Sequence, residues 1–371
     1  MAKTSLLHSA AGATLVLVMA WGAWQVVAAV RQGLEYPHTL SDFREGRSTQ
    51  AIEKQIDQKL PAREWLIAGA NALRFRLMHG AADQVRLGQS DWIYLTDEVR
   101  HHASAQANQV ARIDLLAQTA RSLQAQGVQL LVLLVPDKAR VYPQYLPEGA
   151  APGFTQARYA QALQALRDKG VPTVDVLAPL ALAARDTRQP VYYRTDTHWN
   201  MLGARVAAQA VAQAVKTMPL ELPDTRFVTE SSSPQAPRPG DLLRLMGLLQ
   251  VPNFWRPQPD EEAATVTRQT SADVATGGLL GNAAGPPVVL VGTSYSLRGN
   301  FQGQLQEALS AKLLSTAKDG GGFLQAASDY FADEAFQSDK PKLIIWEVPE
   351  RFLPEPLTQE KNWLATVKLA P

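Results

Sequence analysis

Apolar residues along the chain follow two alternating periods. Val128 to Val135, Pro287 to Gly292 and Leu343 to Val348 are nearly unbroken runs of Val, Leu and Ile, with Thr173 to Val176 a shorter one; such runs predict strands covered on both faces. Residues 105–126, 155–169, 201–217 and 302–314 instead place apolar side chains every three or four positions, which predicts amphipathic helices. Gly127 closes the first of these helices, and Pro136 stops the strand that follows it. Strands alternating with helices predict an α/β domain in three layers, a mostly parallel sheet with helices on both faces. Asp91 to Leu95, apolar and aromatic after Gly88, predicts a short strand near the start of this domain, placed at residues 85–371.

Three stretches depart from that rhythm. From Ser9 to Val30 there is no charged side chain, and 22 residues of helix reach about 30 Å, the thickness of a bilayer core. This predicts an N-terminal transmembrane helix within residues 1–32, preceded by Lys3, with Trp21 and Trp24 suited to an interface. A signal peptide cut near Val27-Ala28-Ala29 is the competing reading, and either one exports the rest of the chain. Residues 33–84 carry Ile52, Ile56 and Leu60 at helical spacing among charges and read as a juxtamembrane helical segment. From about 219 to 285, prolines crowd the chain beside three serines at 231–233 and the Gly277-Gly278 pair, which predicts a loop insertion over the domain, a lid or substrate-facing element, rather than a second core.

Composition narrows the chemistry. The 371 residues suffice for a large core, and 36 basic against 35 acidic side chains leave a net charge of +1, so no overall field draws the chain to nucleic acid. The absence of cysteine removes disulfides, thiol nucleophiles and thiolate metal sites. Gly320-Gly321-Gly322 precedes no Lys-Ser/Thr pair and reads as a flexible turn, not a phosphate loop.

Ser294 follows the strand that ends at Gly292, at the carboxyl edge where open α/β sheets place their ligands. It reads either as a nucleophile or as the cap of the next helix. Asp196 and His198 stand two residues apart, so in extended chain both point to one side. An acid that fixes a histidine tautomer, and a histidine that takes a hydroxyl proton, are what a serine needs to become a nucleophile. Among the six histidines only His198 has this setting; His101-His102 reads as a solvated helix start. A metal centre would need third and fourth ligands that no nearby motif supplies, so neither a metal nor a cofactor is expected.

Thr195-Asp196-Thr197-His198-Trp199 and Val291 to Ser296, with Asp91 to Leu95, Val135 to Pro147 and Ile345 to Arg351, resemble the AlgJ and AlgX proteins, periplasmic O-acetyltransferases of bacterial exopolysaccharides with an SGNH-hydrolase-like fold. The resemblance spans roughly residues 85–355 and implies that Ser294 is the nucleophile, His198 the base and Asp196 the acid that holds it. Ordinary SGNH hydrolases carry the serine early and a D-x-x-H pair late. Here the order is reversed and the spacing is D-x-H, which favours the acetyltransferase branch. About twenty residues follow Arg351, too few for the further carbohydrate-binding domain of AlgX-like members, so the chain looks closer to AlgJ.

The resemblance implies acetyl transfer through an acetyl-serine to hydroxyls of an exported polysaccharide, alginate or a similar polymer. It also implies a multispanning membrane acyltransferase as acetyl source, other exopolysaccharide assembly proteins as partners, and a location on the periplasmic side of the bacterial inner membrane. Oxyanion donors would come from the Ser294 N–H, Asn300 or Arg298, the last two equally readable as a cap and a solvated charge. Lys138, Tyr142 and Trp199 are candidates to grip a sugar, with a turn and core packing as their plainer readings; Glu347 reads either as a cleft residue or as half of an ion pair. A carbohydrate esterase using the same triad, or a non-catalytic scaffold, are the competing functions.

Overall fold

The computed structural model describes residues 16–363 apart from 18, 25–26, 29–30, 32, 34–36, 38, 60–62, 148–152, 187, 271–284 and 361. Most of the apolar stretch 9–30 and the Gly277-Gly278 pair lie outside these residues. No helix of the described residues is long and apolar enough to cross a membrane.

Two compact units divide the chain, Met1–Arg74 and Phe75–Pro371. The first contains helices Leu40–Arg44 and Arg47–Lys59 and most of Arg63–Met78. Thr39 caps the shortest of these: its hydroxyl accepts the Asp42 N–H while the Asp42 carboxylate accepts the Thr39 N–H, satisfying two donors that a helix start leaves unpaired.

Strands of the second unit, among the described residues, are β1 (Val85–Leu87), β2 (Ile93–Leu95), β3 (Gln129–Val135), β4 (Thr173–Asp175), β5 (Phe227–Arg238), β6 (Asp260–Gln269), β7 (Val288–Val291), β8 (Leu313–Ser315) and β9 (Leu343–Pro349). Five of them form one parallel sheet in the order β4-β3-β9-β7-β8. The last strand in sequence is thus the central one, inserted between β3 and β7. Its register with β3 runs from Gln129↔Leu343 to Val135↔Pro349, and with β7 from Val288↔Leu343 to Val291↔Trp346.

The unbroken apolar runs are explained by where their side chains go. Leu131, Leu133, Val288, Leu290, Leu343 and Ile345 face one side of the sheet, packed with Ala204, Ala207, Ala208 and Val211 of helix Met201–Val215 and Phe301 and Leu305 of helix Phe301–Leu309. Leu130, Val132, Leu134, Val289, Ile344 and Trp346 face the other, packed with helices Ala105–Ala125, Gly153–Asp168 and Gln325–Ala332. With both faces covered, neither parity of the strand can be polar. The expected three-layer arrangement is the observed one.

Two expectations need correcting. The helix predicted over 302–314 ends at Leu309, where Ser310 takes a left-handed conformation, and the remainder forms the edge strand β8. The insertion is not loop alone: β5 and β6 pair as an antiparallel ribbon with a register shift between Ser231 and Gln235. Pro234 falls at that irregularity, and each strand of a two-stranded ribbon keeps one unpaired edge, so its prolines break no ladder on both sides.

Candidate active site

Ser294 opens a short 3-10 helix, Ser294–Leu297, directly after β7. Thr293, not Ser294, is its cap, accepting the Tyr295 N–H. Glu347, fully buried on β9, anchors this turn: its carboxylate accepts the Thr293 N–H at 2.7 Å, the Thr293 hydroxyl and, at 3.0 Å, the Ser296 hydroxyl. Burial pushes the Glu347 carboxyl up, against these donors, which favour its ionised form. Gly292 is required by this packing, because a Cβ there would lie 2.1 Å from Ser296 Oγ and 2.9 Å from Glu347 Oε2.

Asp196 and His198 sit on a turn closed by an isolated antiparallel bridge between Tyr192 and Trp199. The chain between them bends instead of extending, so they share a side for a different reason from the one the spacing predicts. Asp196 Oδ1 accepts both the backbone N–H of His198 at 3.0 Å and its ring Nδ1–H at 2.6 Å. An aspartate that bonds the backbone two residues on is a local turn device, and here the same oxygen also sets the imidazole. With Nδ1 the donor, Nε2 is the acceptor, and it lies 2.7 Å from Ser294 Oγ. The structure therefore brings Asp196, His198 and Ser294 into one hydrogen-bonded line, with Ser294 8% exposed.

The two loops are laced together by the residues that follow each triad member. Trp199 donates its indole N–H to the Tyr295 carbonyl at 3.1 Å, and Tyr295 donates its hydroxyl to the Thr197 carbonyl at 3.1 Å. Trp199 is completely buried against Tyr295 and Phe301, so it packs the site and presents no face for a sugar. That corrects its assignment as a substrate contact. Lys138 is corrected likewise: it is completely buried, and its ammonium donates to the carbonyls of Tyr193, Arg194 and Asp196 at 3.2, 3.3 and 2.7 Å. Burial lowers its pKa, opposed by the charges of Glu98, Asp260, Asp241 and Asp196.

The turn carries no regular structure, yet side chains far away in sequence satisfy its backbone. Asp260 of β6 accepts the N–H groups of Arg194 and Thr195, both at 2.9 Å; Asp241 accepts the N–H of Thr197 at 2.8 Å. Asp196 Oδ2 accepts the Asp241 N–H and a guanidinium N–H of Arg238, each at 3.1 Å. Burial alone would raise the Asp196 carboxyl; the hydrogen bond from His198, then the charges of His198 and Arg238, outweigh it and hold the group well below the usual carboxylate range. Asp241 adds a third group that could ligate a cation beside Asp196 and His198. Asp196 Oδ1 and His198 Nδ1 are already bonded to each other, and Asp241 Oδ1 accepts the Thr197 N–H, so the cluster reads as a hydrogen-bonded relay.

Asn300 donates its side-chain amide to Thr267 Oγ1 at 3.0 Å, and Arg298 pairs with Asp319 at 3.2 Å; each has a partner away from the serine. Tyr142 accepts the Val191 N–H on its hydroxyl and lines a groove of about 1150 Å³ with Trp92, Tyr145, Tyr193 and the ribbon's Gln235. No triad member is among the groove's lining residues. Behind the site, Asp137 and Glu350 meet in a buried ion network: Arg158 bridges them at 2.6 and 2.9 Å, and Asp137 accepts the Arg351 N–H.

Residues 85–350 match the SGNH hydrolase-like domain of the acetyltransferase AlgX. The chain is also 34% identical, over 332 residues, to the probable alginate O-acetylase AlgJ of Pseudomonas putida, covering 87% of this chain and 85% of that protein. The chain belongs to the AlgX acetyltransferase family of SGNH hydrolase-like domains. Within the family, AlgJ of Pseudomonas aeruginosa is 32% identical over 338 residues, with 87% and 85% of the two chains covered. The solved O-acetyltransferase domain of Pseudomonas putida AlgJ superposes with a TM-score of 0.66 at 34% identity, over 76% of this chain and 98% of that one. The AlgX structure from Pseudomonas aeruginosa gives 0.56 at 25% identity, over 71% and 62%.

Proposed function

We propose that this chain transfers acetyl groups to hydroxyls of an exported polysaccharide, alginate or a closely related polymer, through an acetyl-serine at Ser294. The observation that carries this is the unbroken line Asp196–His198–Ser294, 2.6 and 2.7 Å per link, in a chain about one-third identical to proteins named as alginate O-acetylases.

The chemistry follows from the donors and acceptors. His198 Nε2 takes the Ser294 hydroxyl proton as Oγ bonds to the carbonyl carbon of an acetyl donor. The imidazolium is stabilised by Asp196 and returns the proton to the leaving group as the donor's acyl bond breaks. A sugar hydroxyl then gives its proton to the same Nε2 and attacks the acetyl carbon, and Ser294 Oγ leaves, taking the proton back. The Ser294 N–H, at the first turn of its 3-10 helix, is our candidate oxyanion donor, and the Tyr142-lined groove our candidate path for the polymer. The charge-free stretch 9–30 would anchor the chain in the inner membrane with its second unit in the periplasm, where a multispanning acyltransferase and other alginate assembly proteins supply donor and acceptor.

Incubation with an activated acetyl ester, with and without uronic-acid oligosaccharides, tests the proposal. Acetylated oligosaccharide that forms with the wild type and not with Ser294→Ala supports transfer. Ester hydrolysis that no acceptor alters makes the chain an esterase.

A further inference from the structure

Charged side chains beyond the relay itself reach the turn that carries the imidazole. Asp196 Oδ1 lies 2.6 Å from His198 Nδ1 and Asp241 Oδ2 lies 3.7 Å from the same nitrogen, so two carboxylates face one ring. Carboxylates beside an imidazole favour its charged form, and a cation beside them favours the neutral base that accepts a hydroxyl proton. Arg238 is the counterweight. Its Nη1 lies 3.1 Å from Asp196 Oδ2, its guanidinium lies 4.0 Å over the Tyr193 ring, and its Nε lies 3.7 Å from Glu262.

We propose that Arg238, at the end of the β5–β6 ribbon, is a positioning residue that sets the basicity of His198, with Asp241 as its opposing partner; this rests on the acyl-transfer reading above. The ribbon insertion thereby acts on the proton relay from outside it. Gly240 makes the approach feasible, since a Cβ there would lie 1.9 Å from the Thr195 carbonyl oxygen. Other groups on the turn are fixed in place: Asp260 on Thr195, Lys138 on the Asp196 carbonyl, Glu262 on Arg238, Tyr193 beneath the guanidinium, and Tyr295 against the imidazole at 4.8 Å with Arg351 behind its ring. Arg238 is the cation with a side-chain contact to the catalytic carboxylate among the described residues.

The test uses two variants of the full chain that pull in opposite directions. Arg238→Gln removes the counterweight, so the pH at which kcat/KM for acetyl-ester turnover falls on the acidic side moves up by about one unit, a loss on the order of tenfold below the new limb that is recovered at higher pH. Asp241→Asn keeps an oxygen for Thr197 but removes a charge, so the same limb moves down. Arg238→Lys restores a limb near that of the wild type. A merely structural role scales activity at every pH and moves no limb. Histidine NMR titration of the same proteins reads the His198 shift without turnover, so an inactive wild type overturns the functional reading alone. Titrations that coincide, or that move in one direction for both variants, overturn this inference.

Discussion

Trp199 and Tyr295, each the residue immediately after a triad member, share a hydrogen bond of 3.1 Å from indole N–H to backbone carbonyl. This bond ties the loop that carries His198 to the loop that carries Ser294, 96 positions away. Trp199→Phe keeps most of the volume but removes one of two donors to the Tyr295 carbonyl, which still accepts the Arg298 N–H at 3.2 Å, a cost of about 0.5–1.5 kcal/mol. We expect kcat to fall with KM for the acceptor little changed, because the ring touches no solvent. Steady-state kinetics with oligosaccharide acceptors checks this, and a selective rise in KM would restore Trp199 as a sugar contact.

Lys138 holds three carbonyls of the same turn from the far side. Lys138→Met leaves the Tyr193 and Asp196 carbonyls without this donor, while the Arg194 carbonyl keeps the Ile93 N–H at 2.9 Å, and we expect a loss of about 2–4 kcal/mol, a fall in Tm of roughly 5–10 °C, along with lost activity. Thermal melts followed by circular dichroism measure it. A variant as stable as the wild type would mean the ammonium does not hold the turn.

Gly292→Ala places a methyl group against Ser296 Oγ and Glu347 Oε2, behind Ser294. Overpacking of this kind costs roughly 1–3 kcal/mol, and the strain falls on the turn that aims Ser294. Activity should drop more than stability does. Equal, small effects on both would show that the turn relaxes freely.

Asp196 gives the acid limb of stability a definite sign. Its folded carboxyl titrates below the ordinary 3.8, so its contribution is fully present above that value and is lost as pH falls through and below it. Between about pH 5 and about pH 3 the wild type should lose on the order of 1 kcal/mol more than Asp196→Asn does. Urea unfolding at the two pH values measures the difference, and identical losses would contradict the assignment.

The parts of the fold that were legible in the sequence are those with local causes. The buried strands announce themselves because both parities are apolar, and the helices because their stripes face one layer each. Ser294 was legible from its place after β7, and Asp196 with His198 from their spacing, although a bend and a side-chain-to-backbone bond, not an extended strand, bring them together. What could not be read is which distant side chains hold the backbone of the turn. Asp260 reaches Thr195 across 65 positions and Asp241 reaches Thr197 across 44, and such pairings leave no periodic trace. Lys138 and Trp199 looked like contacts for substrate because residue type reports chemistry and not burial. The prolines of β5 masked a ribbon whose open edges tolerate them, and the composition of β8 did not distinguish a three-residue edge strand from the tail of a helix.

Intact-mass and peptide mass spectrometry of the chain after brief exposure to an activated acetyl ester looks for the acetyl-serine itself. One acetyl group is expected, on Ser294, absent from Ser294→Ala and discharged faster when a uronic-acid oligosaccharide is added, with the acetyl recovered on the sugar. No acetyl-enzyme in the wild type, or equal acetylation of Ser294→Ala, would contradict transfer through Ser294.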